Sequence, residues 1–207
     1  MSTFKRVSPT QFPTHQEMVF SVPDLYTSEE ELEHLADRMT SLTLKSSSLL
    51  ELLVCTCAAF VDRESKHNGS RTFRDRIIEN VQKATMSCFC APFNEEKTLE
   101  EMLCCARLNA ELYCRDLVSE EIANSVAIQI QGTHDERSER CVVEFLKRVG
   151  RKWSAKSLPS KAEFPIDTYV IMLSRKTNDA CFDRESIQEL VALRRNNWEP
   201  INNEMEQ

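Results

Sequence analysis

The sequence predicts an all-α fold built as a stack of antiparallel helical hairpins, an α-solenoid. Three observations carry this. The chain has 207 residues but only 3 glycines, far below the usual share of about 7%. Turn-rich β folds need many backbone positions with positive φ, which glycine supplies. The seven prolines are Pro9, Pro13, Pro23, Pro92, Pro159, Pro165 and Pro200. The long windows between Pro23 and Pro92 and between Pro92 and Pro159 are therefore open to uninterrupted helices, because an interior proline costs roughly 3 kcal/mol. Finally, Ser/Thr-x-x-Glu capping boxes recur at the heads of apolar, helix-periodic runs. The length suits one domain with its own core.

Residues 1–23 hold three prolines and little apolar periodicity, so they are expected to form an irregular arm. Residues 24–200 form the predicted domain and residues 201–207 a polar tail. Ser28 and Glu31 make the first capping box, opening a helix from Glu29 to Met39 with Leu32, Leu35, Ala36 and Met39 on one stripe. Ser48 and Glu51 make a second, opening Leu49 to Val61, apolar on most sides and so expected in the interior. Asn68-Gly69-Ser70 is a turn. Arg71 to Phe89 carries Phe73, Ile77, Val81 and Ala84 in helical register. Ala91 to Asn94 breaks the pattern, and the Thr98–Glu101 box restarts it through Met102, Leu103, Ala106, Ala110 and Tyr113. Ser119 caps the next helix, with Glu120 and Glu121 at its positive end. His134-Asp135-Glu136 opens another, whose apolar core ends at Gly150. Leu158-Pro159 and Phe164-Pro165 bracket an irregular segment. Ile166 to Leu173 is β-branched, yet a lone strand would have no partner, so a helix is expected. Asp183 to Arg195 forms the last helix.

The formal charge is −7, so any nucleic-acid site must be a local patch. One basic cluster qualifies. Between Cys141 and Ala162, Lys147, Arg148, Arg151, Lys152, Lys156 and Lys161 face a single anion, Glu144, and Trp153 lies among them. Cations around an aromatic can hold phosphates and stack a base; a solvated helix end, where cations suit the dipole, has the same composition. Arg71, Arg74 and Arg76 read as surface. No run of about 18 apolar residues marks a membrane span, and the first residues lack an apolar signal core, so the cytoplasm is expected.

Catalytic signatures are missing from the sequence. His15, His34, His67 and His134 are scattered, and GxSxG, HExxH and GxxxxGK[ST] do not occur. His134-Asp135 reads as a helix entry, and Cys141 lies on an apolar helix side beside Val142 and Phe145, unlike a reactive thiol. The nine cysteines include Cys55/Cys57 and Cys88/Cys90 as CxC pairs and no CxxC. Residues two apart on a helix diverge, so buried reduced thiols are expected, with no metal and no cofactor.

The stretch Glu111 to Trp153, ELYCRDLVSEEIANSVAIQIQGTHDERSERCVVEFLKRVGRKW, resembles the middle domain of eukaryotic translation initiation factor 4G, a stack of HEAT-type helical repeats. Leu193-Arg194-Arg195-Asn196-Asn197-Trp198-Glu199-Pro200 is similar to that family's final helix, and Phe73-Arg74 to a pair near the start of an earlier one. The likeness is specific over Glu111–Trp153 and Leu193–Pro200 and diffuse over Ser28–Lys83. It departs at Thr98–Leu103, where the family carries Ser-x-Gly-Asn-x-x-Phe-x-Gly and this chain has no glycine, so packing there differs. The family's cap-binding-protein motif, Tyr-x-x-x-x-Leu, finds a near miss at Tyr26, with Glu31 in the leucine place.

The resemblance implies a scaffold, not an enzyme. It implies binding to the DEAD-box RNA helicase initiation factor 4A, contact with mRNA, and bias of the helicase toward one conformation. Its edges imply a partner surface at Tyr113, His134, Asp135, Glu136 and Arg137, with Arg194 and Arg195 beside it, and RNA contact at Lys147, Arg148, Arg151, Lys152, Trp153 and Lys156. Trp198 is expected to staple the last helix onto the stack. An adaptor of the same fold that binds a poly(A)-tail or message-specific RNA-binding protein without helicase is the alternative. A thiol enzyme or metal protein is a third. Activation and repression of translation stay equally open.

Overall fold

The computed structural model describes residues 28–67, 72–90, 96–132, 136–156, 166–175 and 184–199. The expected arm, the Asn68–Ser70 turn, the break at 91–94, His134, Asp135 and the tail lie outside them. The described residues form eight α-helices and no strand: α1 (Glu29–Lys45), α2 (Leu50–His67), α3 (Thr72–Phe89), α4 (Leu99–Cys114), α5 (Glu120–Gly132), α6 (Glu136–Lys156), α7 (Ile166–Arg175) and α8 (Arg184–Arg195). Ile166–Leu173 is helical, as expected.

Capping chemistry sets most of the starts. The Ser28 hydroxyl accepts from Glu31 N at 3.2 Å while the Glu31 carboxylate accepts from Ser28 N at 3.3 Å. The Thr98–Glu101 box closes the same way at 3.2 and 2.9 Å. Ser119 caps α5 through Ile122 N. The Ser48 box does not form. Ser48 sits in a single 3₁₀ turn, Ser47–Leu49, and its hydroxyl pairs with that of Ser46 at 2.8 Å. Three ends run longer than expected: α1 continues past Met39 to Lys45, α2 past Val61 to His67, and α6 through Gly150 to Lys156.

Two helices close through a non-glycine residue in the left-handed region. Asp116, after α4, has φ 58°, with Leu117 N donating to Leu112 O and Asp116 N to Tyr113 O. After α8, Asn197 has φ 54°, with Trp198 N donating to Leu193 O and Asn197 N to Arg194 O. Both are Schellman closures, with Asp and Asn in the left-handed position that glycine usually fills. Each sends the next apolar residue, Leu117 or Trp198, into the core.

Packing follows a regular pattern. The most extensive pairings join helices two apart in the chain, α4 with α6 and α1 with α3. α2–α4, α6–α8 and α3–α5 also touch. Arg107 meets Glu144, Glu111 meets Arg148, and Cys114 meets Arg148 O, so α4 and α6 run in the same direction. The core is continuous across these contacts, and Phe60 and Phe73 stack at 4.2 Å within it. Within Leu50–Val61, Glu51 is the one exposed residue, matching the interior role expected for α2.

Candidate functional site

The basic cluster occupies the second half of α6, and the structure assigns most of its charge to the protein itself. Lys147 Nζ donates to Glu189 of α8 at 2.5 Å. Arg148 pairs with Glu144 at 2.7 Å and lies 3.7 Å from Glu111. Glu144 also takes Arg107 of α4 at 3.0 Å. Burial opposes ionisation of Glu144, yet hydrogen bonds from Arg148 and Arg107 hold its carboxyl below the usual range. Lys152 donates to the Tyr113 and Cys114 carbonyls, pairs with Asp116 at 2.7 Å, and stands 4.7 Å from the Tyr113 ring centre. It closes the negative end of α4, where a cation is favoured. Among the described members, Arg151 is the exposed cation, at 76%, with Glu199 at 4.0 Å. The Lys156 side chain lies outside the described residues.

Trp153 is a correction. It was expected to stack a base, but it is 5% exposed. Tyr113, Phe145 and Tyr169 surround it, with ring centres 6.2, 6.1 and 6.3 Å away. An aromatic shared among three others serves packing, and a base would have to displace core to reach it.

The expected partner edge does not assemble as one surface. Tyr113 is 1% exposed, and burial pushes its hydroxyl up to about 12; it belongs to the core, not the edge. Glu136 is exposed at the head of α6. Arg137 is half-buried and donates to Lys97 O at 2.6 Å, tying the head of α6 to the entry of α4. Lys147 meets Glu189, and Ser154 meets Trp198, so α8 runs beside the far half of α6. Arg194 and Arg195 therefore lie with that half, and Gly150 alone is roughly 21 Å of helix rise from Glu136.

Several contacts were illegible locally. Arg74 donates twice to Leu117 O, at 3.1 and 2.8 Å, and holds the α4–α5 link rather than facing solvent as expected. Trp198 lies over Gly150 and donates from Nε1 to Ser154 Oγ at 2.7 Å, the stapling role expected for it. A different surface is apolar: Ile128 of α5 and Ile171 and Met172 of α7 are exposed, and Gln131 Nε2 reaches Met172 Sδ at 3.7 Å. Among the described residues no three His, Cys, Asp or Glu side chains are placed to share a metal ion, and no helix is long and apolar enough to cross a membrane. The sequence matches no protein-family model and no curated protein.

Proposed function

We infer that this chain is a non-enzymatic scaffold of the kind found in the middle domain of initiation factor 4G, acting in the cytoplasm. Its proposed partner is the DEAD-box helicase initiation factor 4A, which does the ATP chemistry while the scaffold's binding energy favours one helicase conformation. One observation carries the reading. The two stretches that resemble the family, far apart in sequence, meet at Gly150 and Trp198. A likeness confined to two unrelated helices would not need to do this. The pairing of helices two apart along α2–α4–α6–α8 and α1–α3–α5 is what stacked HEAT-type hairpins would give.

A protein partner is favoured over RNA as the main one. Lys147, Arg148 and Lys152 are bound to carboxylates or carbonyls, so phosphates would have to compete with partners already in place, the half-buried Glu144 and the last carbonyls of α4 among them. The exposed Ile128, Ile171 and Met172 suit a protein surface. The adaptor reading, with another mRNA-associated protein in place of helicase, uses the same surface.

The deciding experiment measures binding of purified chain to initiation factor 4A and the helicase ATPase rate, with and without RNA. Tight binding with faster turnover supports the scaffold. Ile171→Asp should then weaken it at least ~10-fold, the loss of a buried apolar anchor, while Arg151→Glu should lower only the RNA-dependent part. Binding without stimulation indicates sequestration. No binding at micromolar concentration rejects the helicase partner in favour of the adaptor.

A further inference from the structure

A cavity of about 300 Å³ opens between α1, α3 and the entry of α4. Its walls include Asp37, Ser41, Asn80, Ser87, Lys97 and Cys88. Cys88 is the thiol at this wall, otherwise sunk in the core. Behind it on α4 lies Cys105, fully buried. The Thr85 hydroxyl, one turn before Cys88 on the same face of α3, is 3.5 Å from the Cys105 sulfur, which sets the Cys88 thiol beside it. Asn109 Nδ2 completes the cluster, at 3.0 Å from Thr85 Oγ1, 2.9 Å from Cys105 O and 3.7 Å from Cys105 Sγ. Two thiols from different helices are thus held side by side, one reachable through the cavity and one not.

We propose that Cys88 and Cys105 form a peroxide-reactive dithiol, with Cys88 as the attacking sulfur at the cavity wall and Cys105 as the resolving one. In the first step the Cys88 thiolate attacks one oxygen of hydrogen peroxide. The O–O bond breaks, the second oxygen leaves as hydroxide and becomes water, and Cys88 becomes a sulfenic acid. In the second, Cys105 loses its proton and its sulfur attacks the Cys88 sulfur. The S–O bond breaks, a second water leaves, and the disulfide forms. Two thiols and one peroxide give one disulfide and two waters.

The roles follow from position. The attacking thiol must ionise and meet the oxidant. The Cys105 thiol beside it favours the Cys88 thiolate against the cost of burial, with Lys97 adding to this and Glu101 opposing it, whereas the Cys88 side chain and burial hold Cys105 protonated. Cys104, one residue away, is pushed up to about 11 by burial and by Glu100 beside it. The product joins α3 to α4 covalently where they now meet through Thr85 and Asn109. This inference does not depend on the scaffold reading.

The test treats the reduced full chain with hydrogen peroxide under native conditions, blocks the remaining thiols, and maps peptides by mass spectrometry without reduction. A Cys88–Cys105 linked peptide should be the dominant product. Cys105→Ser should abolish it and leave a Cys88 sulfenic acid that a dimedone probe traps. Cys88→Ser should abolish both and protect Cys105. Far-UV circular dichroism checks that both variants fold, and the wild-type map stands without them. Oxidation confined to the half-exposed Cys55, Cys90 and Cys114, with Cys88 and Cys105 recovered as free thiols, overturns the proposal.

Discussion

Replacing Gly150 by alanine should destabilise the protein, although the same change in an ordinary helix stabilises it. Gly150 lies inside α6, where alanine would normally gain about 1 kcal/mol. Here an added Cβ would stand 2.5 Å from Trp198 Cδ2 and closer still to Cε3 and Cζ3. No real Cβ contact is that short, so the indole must shift or leave. Leaving uncovers a side chain that is 7% exposed; roughly 200 Å² of indole at ~25 cal/mol/Å² is about 5 kcal/mol as an upper bound. The Nε1 bond to Ser154 is lost too, at about 1 kcal/mol. Against this stand the helix gain and relief of the Trp198 backbone, which sits at φ 65°, at about 1–2 kcal/mol. Gly150→Ala should therefore lower stability by up to about 3–4 kcal/mol, and Tm by up to roughly 15 °C for a chain of this size. Urea unfolding followed by circular dichroism measures it, with Trp198→Ala as partner in a double-mutant cycle. In the Trp198→Ala background, Gly150→Ala should turn stabilising, by about 1 kcal/mol. A stabilising Gly150→Ala in the wild type would refute the contact and, with it, the meeting of the two family-like stretches.

Lys152→Met keeps the stem but removes the ammonium that closes α4; a loss of about 2 kcal/mol is expected in urea melts, since bonds to a charged, partly buried group are the stronger kind. Arg74→Ala should cost a similar ~2 kcal/mol and raise amide exchange around Leu117–Val118, whose carbonyl side it holds. Hydrogen bonds from Arg76 and Asn80 hold the Asp37 carboxyl at about 2. A depressed acid adds stability above its unfolded value near 4, and that share fades as pH falls toward 2. The pair is 43% exposed at Asp37, so solvent screening leaves less than ~1 kcal/mol; Asp37→Asn should flatten this acid limb of a stability–pH profile, and an unchanged limb would refute the assignment.

Helix existence was legible because its signals are local. The boxes at Ser28 and Thr98 and the cap at Ser119 lie within four residues of the groups they satisfy, and all three formed. Errors arose where distant residues decide. A glycine in a helical pattern reads as an end, yet at Gly150 it is the notch for a ring from Trp198. A tryptophan among lysines reads as a nucleic-acid platform, yet Trp153 is enclosed by Phe145 of its own helix and by Tyr113 and Tyr169 from two others. The cations of α6 read as an RNA patch or a solvated helix end, but the acceptors of Lys147 on α8 and of Lys152 on α4 are some 40 residues away. Tyr113 was placed at an edge because a helix ends there, and a helix end carries no information on burial. The Ser48 box failed because Ser46 competes for the same hydroxyl.

Helix α6 touches α4, α5, α7 and α8, which leaves it little freedom to vary. Among its described side chains the exposed ones are Glu136, Arg140, Arg151 and Ala155, along one face of the cylinder. Most of the other described ones fill core or pin another helix, and Gly150 leaves room for Trp198. In a library of all single substitutions, neutral changes in α6 should therefore cluster on that face, while Lys147 and Lys152, charged residues that elsewhere drift freely, should be nearly as intolerant as Phe145.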